Sequence, residues 1–195
     1  EFFNAYAGLE PRLSLNYTID ANSSLKASYA RTRQYLQLAQ NSTAGTPLDI
    51  WFPASPNIKP QISDQISLGF FRNFRDHRLE SSVEVYYKKM QNTIDFKDQA
   101  MLLLNPQLEG EVRVGEAWAY GAEFLLRFNE ENLNGWIAYT VSRTMRKIPE
   151  INDGEPYPAP YDKPHDLAFV LNYQLGERWL IGANWVYNTG LPYTF

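Results

Sequence analysis

Eight stretches of this chain alternate apolar and polar residues with a period of two, and the connections between them are by turns very short and very long. The clearest pair covers residues 117–128 and 135–144, joined by a short polar turn. Successive side chains of an extended strand point to opposite faces. Trp118, Tyr120, Ala122, Phe124, Leu126 and Phe128 therefore share one face, with Ala119, Gly121, Glu123, Leu125 and Arg127 on the other. In the second arm Ile137, Tyr139 and Val141 oppose Ala138, Thr140, Ser142 and Thr144. Such a hairpin either packs its greasy face in a sandwich or turns it to lipid.

The rest of the chain repeats the unit. Further strands are expected at residues 12–19, 25–38, 63–74, 79–96, 165–175 and 179–189, giving four hairpins with short turns. The connections between hairpins, residues 39–62, 97–116 and 146–164, are long, and the first and third are dense in proline. Pro47, Pro53, Pro56 and Pro60 rule out a central strand across the first of them. Outer-membrane barrels have short turns at one end and long loops at the other, whereas a soluble sandwich has no physical reason to place every long loop at one end. Strands of about ten residues also exceed the usual soluble length and match a tilted crossing of the hydrocarbon layer. Trp118, Trp136, Trp179 and Tyr187 are expected near strand ends, as in an interfacial girdle.

Composition narrows the alternatives. Aromatic residues make up 15% of the chain, with 13 Tyr and 5 Trp, yet mean hydropathy is −0.43, which is what strands with one apolar and one wet face give. The longest apolar runs, such as Met101 to Leu104, fall far short of the ~20 residues of a spanning helix. The formal charge is −4 with scattered basic residues, so no nucleic-acid partner is expected. Cysteine is absent, which excludes thiolate metal sites and disulfides. Residues 1–9 carry no basic region or apolar core of a leader, and the chain is expected to be mature or trimmed.

An ordered series of short motifs adds to this reading. It runs Asn57-Ile58-Lys59-Pro60 to Asp64-Gln65-Ile66-Ser67-Leu68-Gly69, then Val85-Tyr86-Tyr87-Lys88 with Asn92-Thr93-Ile94-Asp95, then Ala119-Tyr120-Gly121-Ala122-Glu123-Phe124. It continues through Gly135-Trp136-Ile137-Ala138-Tyr139-Thr140, Tyr161-Asp162-Lys163-Pro164-His165 and Tyr187-Asn188-Thr189-Gly190-Leu191-Pro192. In these residues the chain resembles TonB-dependent outer-membrane receptors, especially those of Bacteroidetes. The resemblance implies a barrel of ~22 strands closed by an internal plug, in the outer membrane of a Gram-negative bacterium. It implies nutrient uptake (a siderophore, glycan or peptide) energised through TonB, with outer-membrane lipid and a surface lipoprotein as further partners.

Residues 1–195 are thus expected to be one region of a larger barrel, without the plug: an all-β, antiparallel, up-and-down transmembrane segment of about eight strands. The alternative is a self-contained eight-stranded barrel serving as an adhesin or structural protein, against which Pro192 in a closing strand would count. Charged groups on the strand polar faces need water or partners, so Glu84, Lys88, Glu123 and Arg127 are expected to face the lumen or a plug. Trp51, Phe52, Tyr157 and Tyr161 lie in long loops as candidate ligand contacts, Trp51 and Phe52 as an exposed pair. Asp162, His165 and Asp166 raise the thought of an acid–base dyad or metal site, but a hydrogen-bond knot at a loop–strand junction is the plainer expectation. The segment Asn152-Asp153-Gly154-Glu155 lacks calcium-loop spacing and is expected to be a turn, and His77 a solvated turn residue. No enzyme activity, cofactor or metal is expected.

Overall fold

A computed structural model of the protein describes residues 5–40, 49–74, 76, 78–101 and 105–192. Eight long strands form one antiparallel meander: β1 (Arg12–Asp20), β2 (Ser23–Gln34), β5 (Gln61–Phe74), β6 (Leu79–Phe96), β7 (Val112–Asn129), β8 (Leu133–Lys147), β10 (His165–Leu175) and β11 (Trp179–Asn188). They hydrogen-bond in that order, and among the described residues β1 and β11 each keep one edge unpaired. The first long connection contains β3 (Leu36–Gln40) and β4 (Asp49–Pro53), a separate two-stranded sheet. The third contains β9 (Tyr157–Pro158), a short addition to the edge of β8.

Register carries the two-faced pattern across the whole sheet. Tyr17, Leu25, Phe70, Val83, Phe124, Tyr139, Leu167 and Tyr187 are successive neighbours in one row, an apolar line through all eight strands. One residue over, on the opposite face, runs Asn16, Lys26, Gly69, Glu84, Glu123, Thr140, Asp166 and Asn188. The apolar row also climbs: Tyr17 lies three residues from the turn end of β1, Tyr187 eight from the turn end of β11. That stagger is what a tilted barrel wall requires.

The strands outrun their apolar band. On the apolar face of β6, Val83, Val85 and Tyr87 give way to Lys89, and on β7 Leu126, Phe124 and Tyr120 give way to Trp118 and Glu116. Lys89 and Glu116 pair at 3.4 Å, and Arg31 and Asp64 pair at 2.7 Å at the corresponding level of β2 and β5. From Leu79 to Tyr87 the band is roughly nine residues long, enough for a tilted strand to cross hydrocarbon. The remaining upper parts of β6, β7 and β8 rise above it.

Three boundaries differ from the sequence reading. The second strand breaks at Tyr35, whose carbonyl accepts the Ala54 amide at 2.7 Å as the chain leaves the wall for the β3–β4 hairpin. β7 begins at Val112, because residues 112–116 pair with 91–96, so Trp118 lies within the strand rather than near its end. Pro192 lies beyond β11 and has no bearing on a closing strand, although among the described residues β1 and β11 do not pair.

Candidate functional site

The polar face of β5–β8 is shaped by two glycines. Glu84 lies across Gly69, where an added Cβ would come within 3.1 Å of its Oε2, and Tyr86 lies across Gly121, whose added Cβ would meet its hydroxyl at 3.0 Å. At Gly121 the Val141 carbonyl would also be only 2.7 Å away, so any larger residue must move backbone. The result is a concavity of about 310 Å³ whose lining includes Glu84, Tyr86, Lys88, Glu123, Thr144 and Tyr161. Glu84 and Glu123 are direct cross-strand partners. Neither carboxylate makes a hydrogen bond or ion pair within the described residues, and Lys88 is four residues along β6, about 13 Å away. Two like charges thus face each other on adjacent strands, with Lys26 in the same row across Gly69 and Lys88 bordering the same concavity.

Above this floor stands a polar knot. Arg146, buried at the top of β8, donates to Asp95 Oδ2 at 2.8 Å, and the Tyr157 hydroxyl donates to the same oxygen at 2.9 Å. Burial, with the Asp95 carboxylate beside it, pushes the Tyr157 phenol well above its ordinary pKa. Tyr161 spreads over the Arg146 guanidinium, 5.5 Å from its ring centre, and remains half exposed toward the concavity. Asp162, almost fully buried, accepts the Thr144 amide at 2.7 Å and Arg143 Nη1 at 3.0 Å, fastening the third long loop to β8.

A sheet with an apolar outer band, a charged inner face, tight turns at one end and anchored loops at the other has the form of an outer-membrane barrel wall. The sequence profile of the family described as TonB dependent receptor-like, beta-barrel, matches residues 1–194. The chain belongs to the TonB-dependent receptor-like β-barrel family. No curated protein sequence matches it. The fold is similar to that of the ferric-catecholate import receptor Fiu from E. coli K12, in its closed form, with a TM-score of 0.63 at 17% identity. That match covers 89% of this chain and 23% of the solved receptor, so the chain spans about a quarter of its length.

Within this receptor-barrel wall the candidate residues sort differently from their order in sequence. Glu84, Lys88 and Glu123 share the concavity with Tyr161, while Arg127 lies nearer the turn end, 3.4 Å from Glu80 and beside Trp136 in a second concavity of about 300 Å³. Trp136 pairs with Arg127 and Val170 on the inner face, so it is not part of an outer girdle. Trp51 is exposed, but Phe52 is buried with its ring edge-on to Phe96, 6.0 Å away, because β4 turns alternate residues to opposite faces. Tyr157 is half-buried in the knot, not free at the surface.

The imagined catalytic trio does not converge. His165 bonds the Tyr139 hydroxyl at 2.8 Å, Asp162 holds backbone and Arg143, and Asp166 sits in the inner row beside Thr140. Residues 152–154 form a single 3-10 turn, and no group of three metal-binding side chains exists among the described residues. His77 lies outside the described residues. The pair Asp95 and Arg146 was not legible in advance. Its only signal is an acid placed between Ile94 and Phe96, where a charge on a buried stretch demands a partner.

Proposed function

We propose that the chain is a wall segment of a Bacteroidetes-type outer-membrane receptor that takes up a scarce nutrient, a siderophore, glycan or peptide, with energy supplied through TonB. The observation that carries this reading is the two-faced sheet: an outer apolar band, an inner charged row, and edges on β1 and β11 that are unpaired among the described residues. An apolar band about nine residues tall wants lipid. Exposed sheet edges want further strands, which the parent barrel supplies, and this is why the reading of a self-contained eight-stranded adhesin is set aside. The opposed Glu84 and Glu123 and the nearby Lys88 suit an internal plug with complementary charge, while Tyr161, with Trp51 on a separate loop, suits contact with ligand or a surface lipoprotein at the mouth.

The decisive experiment is uptake by cells carrying the parent receptor. Growth on one scarce nutrient should be lost on deleting the receptor, restored by its return, and abolished in cells lacking TonB. Uptake that persists without TonB would overturn the proposal. Residues 1–195 expressed alone should aggregate through their open edges, and a folded, heat-resistant monomer in detergent would restore the small-barrel reading.

A further inference from the structure

Above the membrane band, residues 93–96 of β6 and 112–115 of β7 form a narrow ribbon whose consecutive residues serve different loops. Ile94 and Phe96, with Val112, pack against Ala39, Phe52 and Ile58 from the β3–β4 region. Asp95, between them, points the other way and holds Arg146 and Tyr157. Arg113, opposite Asp95 in the register, donates to Glu150 at 2.7 Å. The first and third long loops are therefore fastened to opposite faces of one ribbon at adjacent residues. Its base is set by a β-bulge at Asn92, in the left-handed region at φ 58°, whose side-chain amide donates to the Pro60 carbonyl at 2.9 Å.

Side chains of adjacent strand residues hang from the same backbone, so displacing Asp95 displaces Ile94 and Phe96. We infer that the β3–β4 hairpin and the 148–164 loop form one mechanically coupled unit, with Ile94–Phe96 as the coupling element. A contact that orders either loop at the mouth then orders the other, and the coupling is reciprocal. The inference concerns the loops alone and stands whatever the receptor carries.

Amide hydrogen exchange of the complete parent receptor in bilayers tests it. Tyr157→Phe removes one oxygen from the polar side, and Phe52→Leu loosens the apolar side. Each should speed exchange about ten-fold or more in both the β3–β4 hairpin and residues 149–160, with β1, β2 and β10 unchanged. Acceleration confined to the loop that carries the substitution would overturn the coupling. Should Phe52→Leu also unprotect the wall, Tyr157→Phe alone decides, because it leaves every apolar contact in place.

Discussion

Asp95 ties β6 to β8 and to the third long loop through Arg146 and Tyr157, and these partners are not interchangeable. Arg146 and Asp95 are both nearly buried, so removing one leaves the other charge without water or partner. Arg146→Ala should cost about 3–5 kcal/mol, read as an earlier urea transition of the refolded parent receptor. Tyr157 supplies a pH signature. Its folded-state pKa is raised, by burial first and by Asp95 second, so the folded protein keeps a proton that the unfolded chain gives up near pH 10. The stability it contributes is complete below that pH and is lost as pH rises through the raised value. In alkaline titration followed by phenolate absorption, the difference between wild type and Tyr157→Phe should appear later than the bulk of the tyrosines. A difference that titrates near pH 10 would count against the buried hydrogen bond.

At the scale of strands, glycine and face decide what is tolerated. Gly121→Val should push Tyr86 aside and strain the Val141 backbone, a loss of about 1–3 kcal/mol, whereas a conservative change at the solvated Glu123 should be nearly silent in stability. Leu68 and Ser67 are neighbours on opposite faces of β5. Leu68→Arg should cost about 2–4 kcal/mol on folding into lipid vesicles, and Ser67→Arg much less; equal costs would mean that the faces are assigned the wrong way. The four hairpins were legible because alternation needs only local sequence. The β3–β4 hairpin was not, since prolines correctly excluded a central strand but said nothing of a small sheet beside the wall. Phe52 and Trp136 were misplaced for a related reason: an aromatic residue reads the same in lipid, lumen or core until its register is known.

For the molecule as a whole, the structure joins what the sequence kept apart. Glu84, Lys88 and Glu123 come from strands and Tyr161 from a loop over thirty positions further on, yet they border one hollow. No period-two pattern could show that, because it depends on how far β6, β7 and β8 rise above the band. If a plug meets the opposed carboxylates in the parent receptor, Glu84→Gln should loosen the plug, seen as easier release by urea. In the plug-deleted parent receptor refolded into vesicles, where Glu123 is the nearer concern, the same change should be neutral or stabilising by about 0.2–1 kcal/mol.

The rows that cross all eight strands also impose a counting rule on how such a gene can drift. Adding one residue within the pairing of a strand exchanges its lipid and lumen faces from that point on, while adding two restores them. Insertions of odd length should therefore survive only in the long loops or at a bulge such as Asn92. The four hairpin turns then act as a reading frame for the wall, and the long loops are left free to vary in length.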